Sequence, residues 1–137
     1  MASIIGSFMT LDEVAARFAE DKFATNAGCK LVSCAYGEAV CEMEVTPDHL
    51  NGMGNVMGGA IFTLADFALA VASNYDVAST VSVSNTIEYL SGVKGTKLIA
   101  KASVDKDGRT LGFYTVDVTD DTGRAIAKMT ATCCRVG

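Results

Sequence analysis

Asp66 is the only charged residue between Val56 and Asn74. Around it, Ala60-Ile61-Phe62-Thr63-Leu64-Ala65 and Phe67-Ala68-Leu69-Ala70-Val71-Ala72-Ser73 read as a helix that is apolar on every side, and such a helix is normally buried. An unpaired buried charge is costly. A carboxylate at that position therefore points to acid–base or nucleophilic work, with a satisfied structural acid as the plain alternative. Just before it lies a glycine-rich loop, Asn51-Gly52-Met53-Gly54-Asn55-Val56-Met57-Gly58-Gly59. Glycine lets backbone approach a ligand closely. The first amides of a helix have no partner within it and sit at the positive end of its dipole. One short segment thus supplies a candidate oxyanion site at Gly58 and, about two turns further on, a candidate base or nucleophile at Asp66. Burial raises the pKa of such an acid, while a nearby helix start and polar partners lower it, and the sequence leaves that competition open. Plainer roles remain for the neighbours: Gly58 and Gly59 as helix-packing residues, Asn51 as a turn residue, Ser82 as a strand residue facing its neighbour.

The elements that must hold these groups follow from periodicity. Thr10-Leu11-Asp12-Glu13 has the form of a capping box, and Val14, Ala15, Phe18 and Ala19 continue at helical spacing, so a short helix is expected over about 11–20, with Phe23 and Ala24 packing its end. From Gly28 the period becomes two. Leu31, Ser33 and Ala35 alternate with Val32, Cys34 and Tyr36; after Gly37-Glu38, Cys41, Met43 and Val45 alternate with Glu42, Glu44 and Thr46. Pro47 ends that strand. The buried helix is expected over about 58–74. After Asn74-Tyr75-Asp76, strands are expected at 80–90, 95–106, 109–120 and 124–135, joined by turns at Ser91-Gly92, Asp107-Gly108 and Asp120-Asp121-Thr122-Gly123. Leu98, Ala100, Ala102 and Val104 should face one way, as should Ala125, Ala127, Met129, Ala131 and Cys133. Helix, two strands, one long helix and a four-strand meander make an α+β fold in which a single antiparallel sheet covers one helix. Its exposed edges call for a second copy.

Composition bounds the function. A chain of 137 residues fits one domain, 1–137, with half its residues hydrophobic. A net charge of −5 argues against nucleic acid as a partner. Residues 1–9 look like a loose lead-in without the basic start and long apolar core of a secretory signal. The most apolar window, about 56–73, falls short of the ~20 residues a bilayer span needs. Five cysteines, Cys29, Cys34, Cys41, Cys133 and Cys134, with no C-x-x-C pair, read as reduced apolar fillers in the cytoplasm. A single histidine, His49, makes a metal site improbable, and it reads as a loop or surface residue. No cofactor is expected.

These residues, in order, carry a family resemblance. His49-Leu50-Asn51-Gly52 to Gly58-Gly59, Leu64-Ala65-Asp66, Val81-Ser82-Val83, the Gly92/Gly95 region, Asp107-Gly108-Arg109 and Gly123-Arg124 are similar to the hotdog-fold acyl-CoA thioesterases of the phenylacetate-degradation (PaaI-like) type, over about 20–135. The resemblance implies the hotdog fold, a long central helix wrapped by a single antiparallel sheet with a short N-terminal helix. It also implies hydrolysis of an acyl-CoA or aroyl-CoA thioester. By the same token the Gly58 N–H polarises the thioester carbonyl, Asp66 activates water or attacks directly, Asn51 helps place the reacting groups, and Ser82 holds the water or orients the acid. Sites of this kind form across a dimer interface, and dimers pair into tetramers. Met57 stands where the family usually has His, and methionine cannot donate a hydrogen bond to the thioester oxygen. The family's frequent proline near Ser91-Gly92 is also missing.

The remaining candidates concern substrate. Phe62, with Phe67 and Leu69, suggests an apolar pocket, beside Met57 and Gly59. Lys94, Lys97, Lys101, Lys106 and Arg109 crowd one stretch. They are either a solvated strand face or, through Lys94, Lys97 and Arg109, a dock for the phosphates of coenzyme A. Two other functions stay open: a non-catalytic acyl-CoA binding or sensing module, favoured by Met57, and a dehydratase or hydratase of 3-hydroxyacyl thioesters, for which His49 is the only available histidine. In every version the acid and the amide opening its helix are expected to face one small cavity, closed by a partner subunit.

Overall fold

The computed structural model describes residues 10–75 and 80–136; the expected lead-in over 1–9 and the turn residue Asp76 lie outside them. Helix α1, Leu11–Phe18, opens on the expected capping box: Thr10 Oγ1 accepts from Glu13 N–H (3.2 Å) and Glu13 Oε1 from Thr10 N–H (2.8 Å). Its buried residues are Val14 and Phe18, and Phe18 meets Phe67 edge-on at 6.4 Å. A second short helix, α2 (Lys22–Asn26), follows. The residues Phe23 and Ala24, read only as packing the end of α1, belong to it.

Strands β1 (Lys30–Ala35) and β2 (Glu38–Glu44) form a hairpin, and a 3₁₀ turn, Pro47–His49, leads into the glycine loop. The long helix α3 is Gly58–Ser73. Four strands complete the chain: β3 (Thr80–Tyr89), β4 (Lys97–Asp107), β5 (Leu111–Asp120) and β6 (Ala125–Arg135). They form with β1 and β2 one antiparallel sheet in the order β1-β2-β4-β5-β6-β3.

That order corrects the four-strand meander. Of these last four strands only β4, β5 and β6 are hairpin-connected; β3 pairs with β6 at the sheet edge, and residues 90–96 cross over to β4 beside β2. The alternation of β4 holds, with Leu98, Ala100 and Ala102 buried. In β6 a register shift opposite Val118/Thr119 leaves Ala125 exposed, and Ile126 is buried with Ala127. In β1 a shift between Leu31 and Ser33 puts Leu31 and Cys34, not Ser33 and Ala35, on the half-buried side.

The sheet curls around α3, whose Leu64, Ala65, Ala68 and Val71 are fully buried. Cys41, Met43, Leu98, Val116, Ile126 and Met129 join them in the same core. Cys29, Cys41 and Cys133 are buried, Cys34 and Cys134 partly so, and all five are free, as fits their reading as apolar fillers. No helix among the described residues is long and apolar enough to cross a membrane.

Candidate active site

The glycine loop is closed by Asn51. Its N–H donates to Asn55 O (2.8 Å), and its side-chain Oδ1 accepts from Met53 N–H (2.9 Å) and Asn55 N–H (3.1 Å). Gly54 sits at φ +82°, a left-handed conformation that suits glycine. Asn51 therefore does the work of a turn residue. Met57 N–H donates to His49 O (2.8 Å) and delivers the chain to the start of α3. Met57 is the N-cap residue, and its side chain makes no capping hydrogen bond. The amides of Gly58 and Gly59 are thus left without a side-chain acceptor. Gly58 lies beneath the ring of Tyr89: Tyr89 Oη donates to Gly58 O (3.0 Å), and a Cβ on Gly58 would come within 3.1 Å of Tyr89 Cζ. This helix start lines an open cleft of about 730 Å³ with Val45, Leu50, Val56, Ile61, Tyr89, Leu90 and the loop residues Ser91, Gly92, Val93 and Gly95.

Asp66 lines a different cleft, of about 450 Å³, between α3 and α2: Asp21, Lys22, Phe23, Ala24, Phe62 and Thr63 form it with Asp66. The carboxylate is half-buried and, among the described residues, accepts no hydrogen bond. Burial raises its pKa, and the Asp21 carboxylate adds to the rise. Of the two opposed effects weighed from sequence, burial prevails. The neighbouring thiol of Cys29 is pushed up to about 12 by burial and by the Asp66 charge.

The two groups do not share one cavity within a chain. Eight residues of helix separate them by about 12 Å along the axis and about 80° around it. A sequence spacing that looks compact is long once wound into a helix. A single thioester carbonyl, with its oxyanion donor and its attacking group each about 3 Å away, cannot touch Gly58 and Asp66 of the same subunit.

Other candidates fall as follows. Ser82 is exposed on the edge strand β3, beside a register shift at 82/84, and accepts from Asn85 Nδ2 (3.3 Å). Asn85 Oδ1 is buried without a partner. Ser82 lines neither cleft. Met57 is exposed, and its Cε would lie 3.3 Å from a Cβ on Gly59. Phe62 does line the acid's cleft. His49 is buried, not a surface residue. Its Nδ1 accepts from Thr46 N–H (3.0 Å) and its Nε2 lies 2.6 Å from Ala27 O, so both ring nitrogens are occupied in holding the loop to the end of α2. Lys97 is tied to Glu42 at 2.9 Å across the β2–β4 pair. Lys94 and Arg109 flank β4 at opposite ends, and its 11 residues span about 33 Å. The basic stretch is therefore not one patch on one chain. Among the described residues no three His, Cys, Asp or Glu side chains are grouped to hold a metal ion.

Sequence reading missed Asp21 and Phe23 beside the acid, and Tyr89 over Gly58. Their only signal is long-range packing. Phe23 is 80% exposed.

A single antiparallel sheet wrapped on one long helix is the hotdog fold. A model of the thioesterase superfamily matches residues 53–127. Acyl-coenzyme A thioesterase 13 of Homo sapiens is 40% identical over 102 residues, 72% of this chain and 73% of the human protein. Acyl-coenzyme A thioesterase PaaI of Escherichia coli K12 is 32% identical over 123 residues, 89% of this chain and 88% of its own. The solved E. coli PaaI structure has a TM-score of 0.80 at 29% identity, covering 93% of this chain and 97% of that one. A hypothetical thioesterase from Streptococcus pneumoniae TIGR4, solved with coenzyme A, has a TM-score of 0.81 at 28% identity, covering 89% and 96%. The chain belongs to the thioesterase superfamily, and it is a thioester hydrolase.

Proposed function

We propose that this protein hydrolyses an acyl-CoA or aroyl-CoA thioester to the free acid and coenzyme A, at a site shared between two subunits. One observation carries the reading: Asp66 is a half-buried carboxylate with no hydrogen bond and a raised pKa, open to a cleft, on the same helix whose uncapped amide end opens on another. Since the two cannot serve one substrate in one chain, Asp66 of one subunit and the Gly58 amide of a second act together. The unpaired edge of β3, with Val81 and Val83 about half-exposed, is where a second copy would add. Tyr89, at the end of that same strand, rests on Gly58.

In the reaction, Asp66 removes a proton from a water molecule as the water oxygen attacks the thioester carbon. Charge develops on the carbonyl oxygen and is taken up by the Gly58 N–H. The C–S bond then breaks, and the departing thiolate of coenzyme A takes up a proton. Direct attack by the Asp66 carboxylate, giving an anhydride that water then cleaves, is the variant of the same scheme. A raised pKa makes the carboxylate a better proton acceptor once ionised. With Met57 unable to donate, backbone amides carry the oxyanion alone. Ser82, on the shared edge, is assigned to the attacking water. Pairing of dimers into a tetramer and a cytoplasmic setting, in keeping with five free thiols, complete the proposal. The hydratase reading loses ground because His49 has no free ring nitrogen.

Complementation tests the shared site. Gly58→Pro and Asp66→Asn are each expected to abolish thiol release from an acyl-CoA panel. Mixed and refolded together, they regain about a quarter of wild-type activity, because half the dimers are mixed and one of the two sites in each is intact. No recovery on mixing, with mixed dimers formed, overturns the shared site. A wild type that binds acyl-CoA and cleaves none overturns the hydrolase reading and leaves the binding module.

A further inference from the structure

The crossover from β3 to β4 walls the Gly58 cleft with Ser91, Gly92, Val93 and Gly95. A loop of this length usually has its amides in water. Here two adjacent carboxylates from the β5–β6 turn hold four consecutive amides of it. Asp120 Oδ2 accepts from Lys94 N–H (2.9 Å) and Gly95 N–H (3.0 Å). Asp121 Oδ1 accepts from Thr96 N–H (2.9 Å) and Lys97 N–H (3.3 Å), and its Oδ2 from the Thr96 hydroxyl (3.2 Å). The other oxygen of Asp120 takes the Thr122 amide (3.0 Å), the Thr122 hydroxyl (2.5 Å) and the Arg124 amide (3.1 Å). Asp120 is only 1% exposed, and it is the sole carboxylate among the buried residues described. The fit is close: a Cβ on Gly95 would overlap Asp121 Oδ1. The Thr122 hydroxyl and the amides of Lys94, Gly95 and Thr122 hold the Asp120 carboxyl well below the usual carboxylate range, against the opposing effect of burial.

We propose that Asp120 and Asp121 are positioning residues for the thioesterase reaction: together they clamp the 94–97 backbone and so fix the 91–95 wall against which the acyl-CoA substrate lies. This inference rests on the hydrolase reading above. It assigns the clamp no part in chemistry, since the reacting groups sit on α3. The wall touches substrate in the ground state and the transition state alike, so its loss weakens both equally. Asp120→Asn is the selective perturbation. Five donors converge on this carboxylate, and a carboxamide keeps one oxygen only. The amide oxygen retains the larger set at Thr122 and Arg124, and the NH₂ group faces the Lys94 and Gly95 N–H groups, donor against donor.

The experiment measures KM, kcat and backbone hydrogen exchange at 94–97 in wild type, Asp120→Asn, Asp121→Asn and Gly95→Ala. It also measures the dissociation constant of a non-hydrolysable acyl-CoA thioether. The expected result is faster exchange at 94–97, KM and the thioether constant raised roughly ten- to a hundredfold, and kcat within about threefold. Asp120→Asn and Asp121→Asn loosen the loop from the turn, so either answers if the other fails to fold, while Gly95→Ala alters the wall itself and serves as the positive control. Faster exchange with unchanged KM and unchanged thioether binding overturns the proposal, as does a fall in kcat with KM unaltered. If wild type cleaves no thioester yet the variants lose thioether binding, the hydrolase reading fails and the clamp stands.

Discussion

Removing one amide hydrogen tests the oxyanion assignment most directly, and the geometry of the helix start makes that removal feasible. Gly58 is the first residue of α3, where proline is well tolerated because the N–H has no intrahelical acceptor and a helical φ lies near the proline value. The residue before a proline must be extended, and Met57 is, at φ −67°, ψ 139°. Gly58→Pro therefore deletes the N–H while keeping the helix start. It also adds a Cβ, 3.1 Å from the Tyr89 ring, which must yield by a few tenths of an ångström. Gly58→Ala adds the same Cβ and keeps the N–H, so the difference between the two variants isolates the donor. Losing one oxyanion donor costs about 3–4 kcal/mol, or a 10²–10³-fold fall in kcat. Because Met57 supplies no donor of its own, the upper part of that range is expected. Thiol release from an acyl-CoA, followed with a chromogenic thiol reagent, measures both variants, and circular dichroism checks their folding. If both fold and Gly58→Pro is no slower than Gly58→Ala, the Gly58 amide does not hold the oxyanion.

Asp66→Asn is expected to cost about 10²–10⁴ in rate and, at neutral pH, to raise the melting temperature. A carboxyl with a raised folded pKa contributes stability below its unfolded value and loses it as pH rises through the folded one, so the gain over wild type should vanish in acid. Asp21→Asn removes the nearby carboxylate that helps hold the Asp66 pKa up; the acidic limb of the kcat/KM profile should move to lower pH with the plateau rate kept. Val83→Lys on the open edge of β3, a residue 59% exposed, should leave a folded monomer without activity, read by light scattering and thiol release. Leu64→Ala, at a fully buried position of α3, should lower stability by about 2–5 kcal/mol in urea titration.

The long helix and the last four strands were legible because their signals are strong and local. An apolar run of that length with one acid reads as a buried helix, and β4 alternates over its first nine residues. The five-residue α2 was not legible, since so short an element carries no period to read. Nor was the place of β3. Sequence neighbours usually pair in space, and nothing local marks residues 90–96 as a crossover and not a hairpin. Asp66 stood out by type alone. Its surroundings did not: Asp21 and Phe23 reach it only after some forty intervening residues have folded between them. From sequence Lys97 stands as either a strand-face residue or a phosphate contact, and its partner Glu42 becomes visible only once β2 lies beside β4.

The arrangement also explains why one helix can serve as both halves of a reaction centre. Acid and amide are fixed by one rigid rod, so the separation that prevents them from meeting within a subunit is constant. In the shared site proposed above, a two-fold partner would set each amide against the other's acid, and both sites would be built from that one distance. An acid held unpaired and half-buried is a standing cost to the monomer. The exposed Phe23 lines the same cleft as the acid and gives it an apolar wall. In the proposed shared site, substrate or a second subunit would offset that cost at the acid.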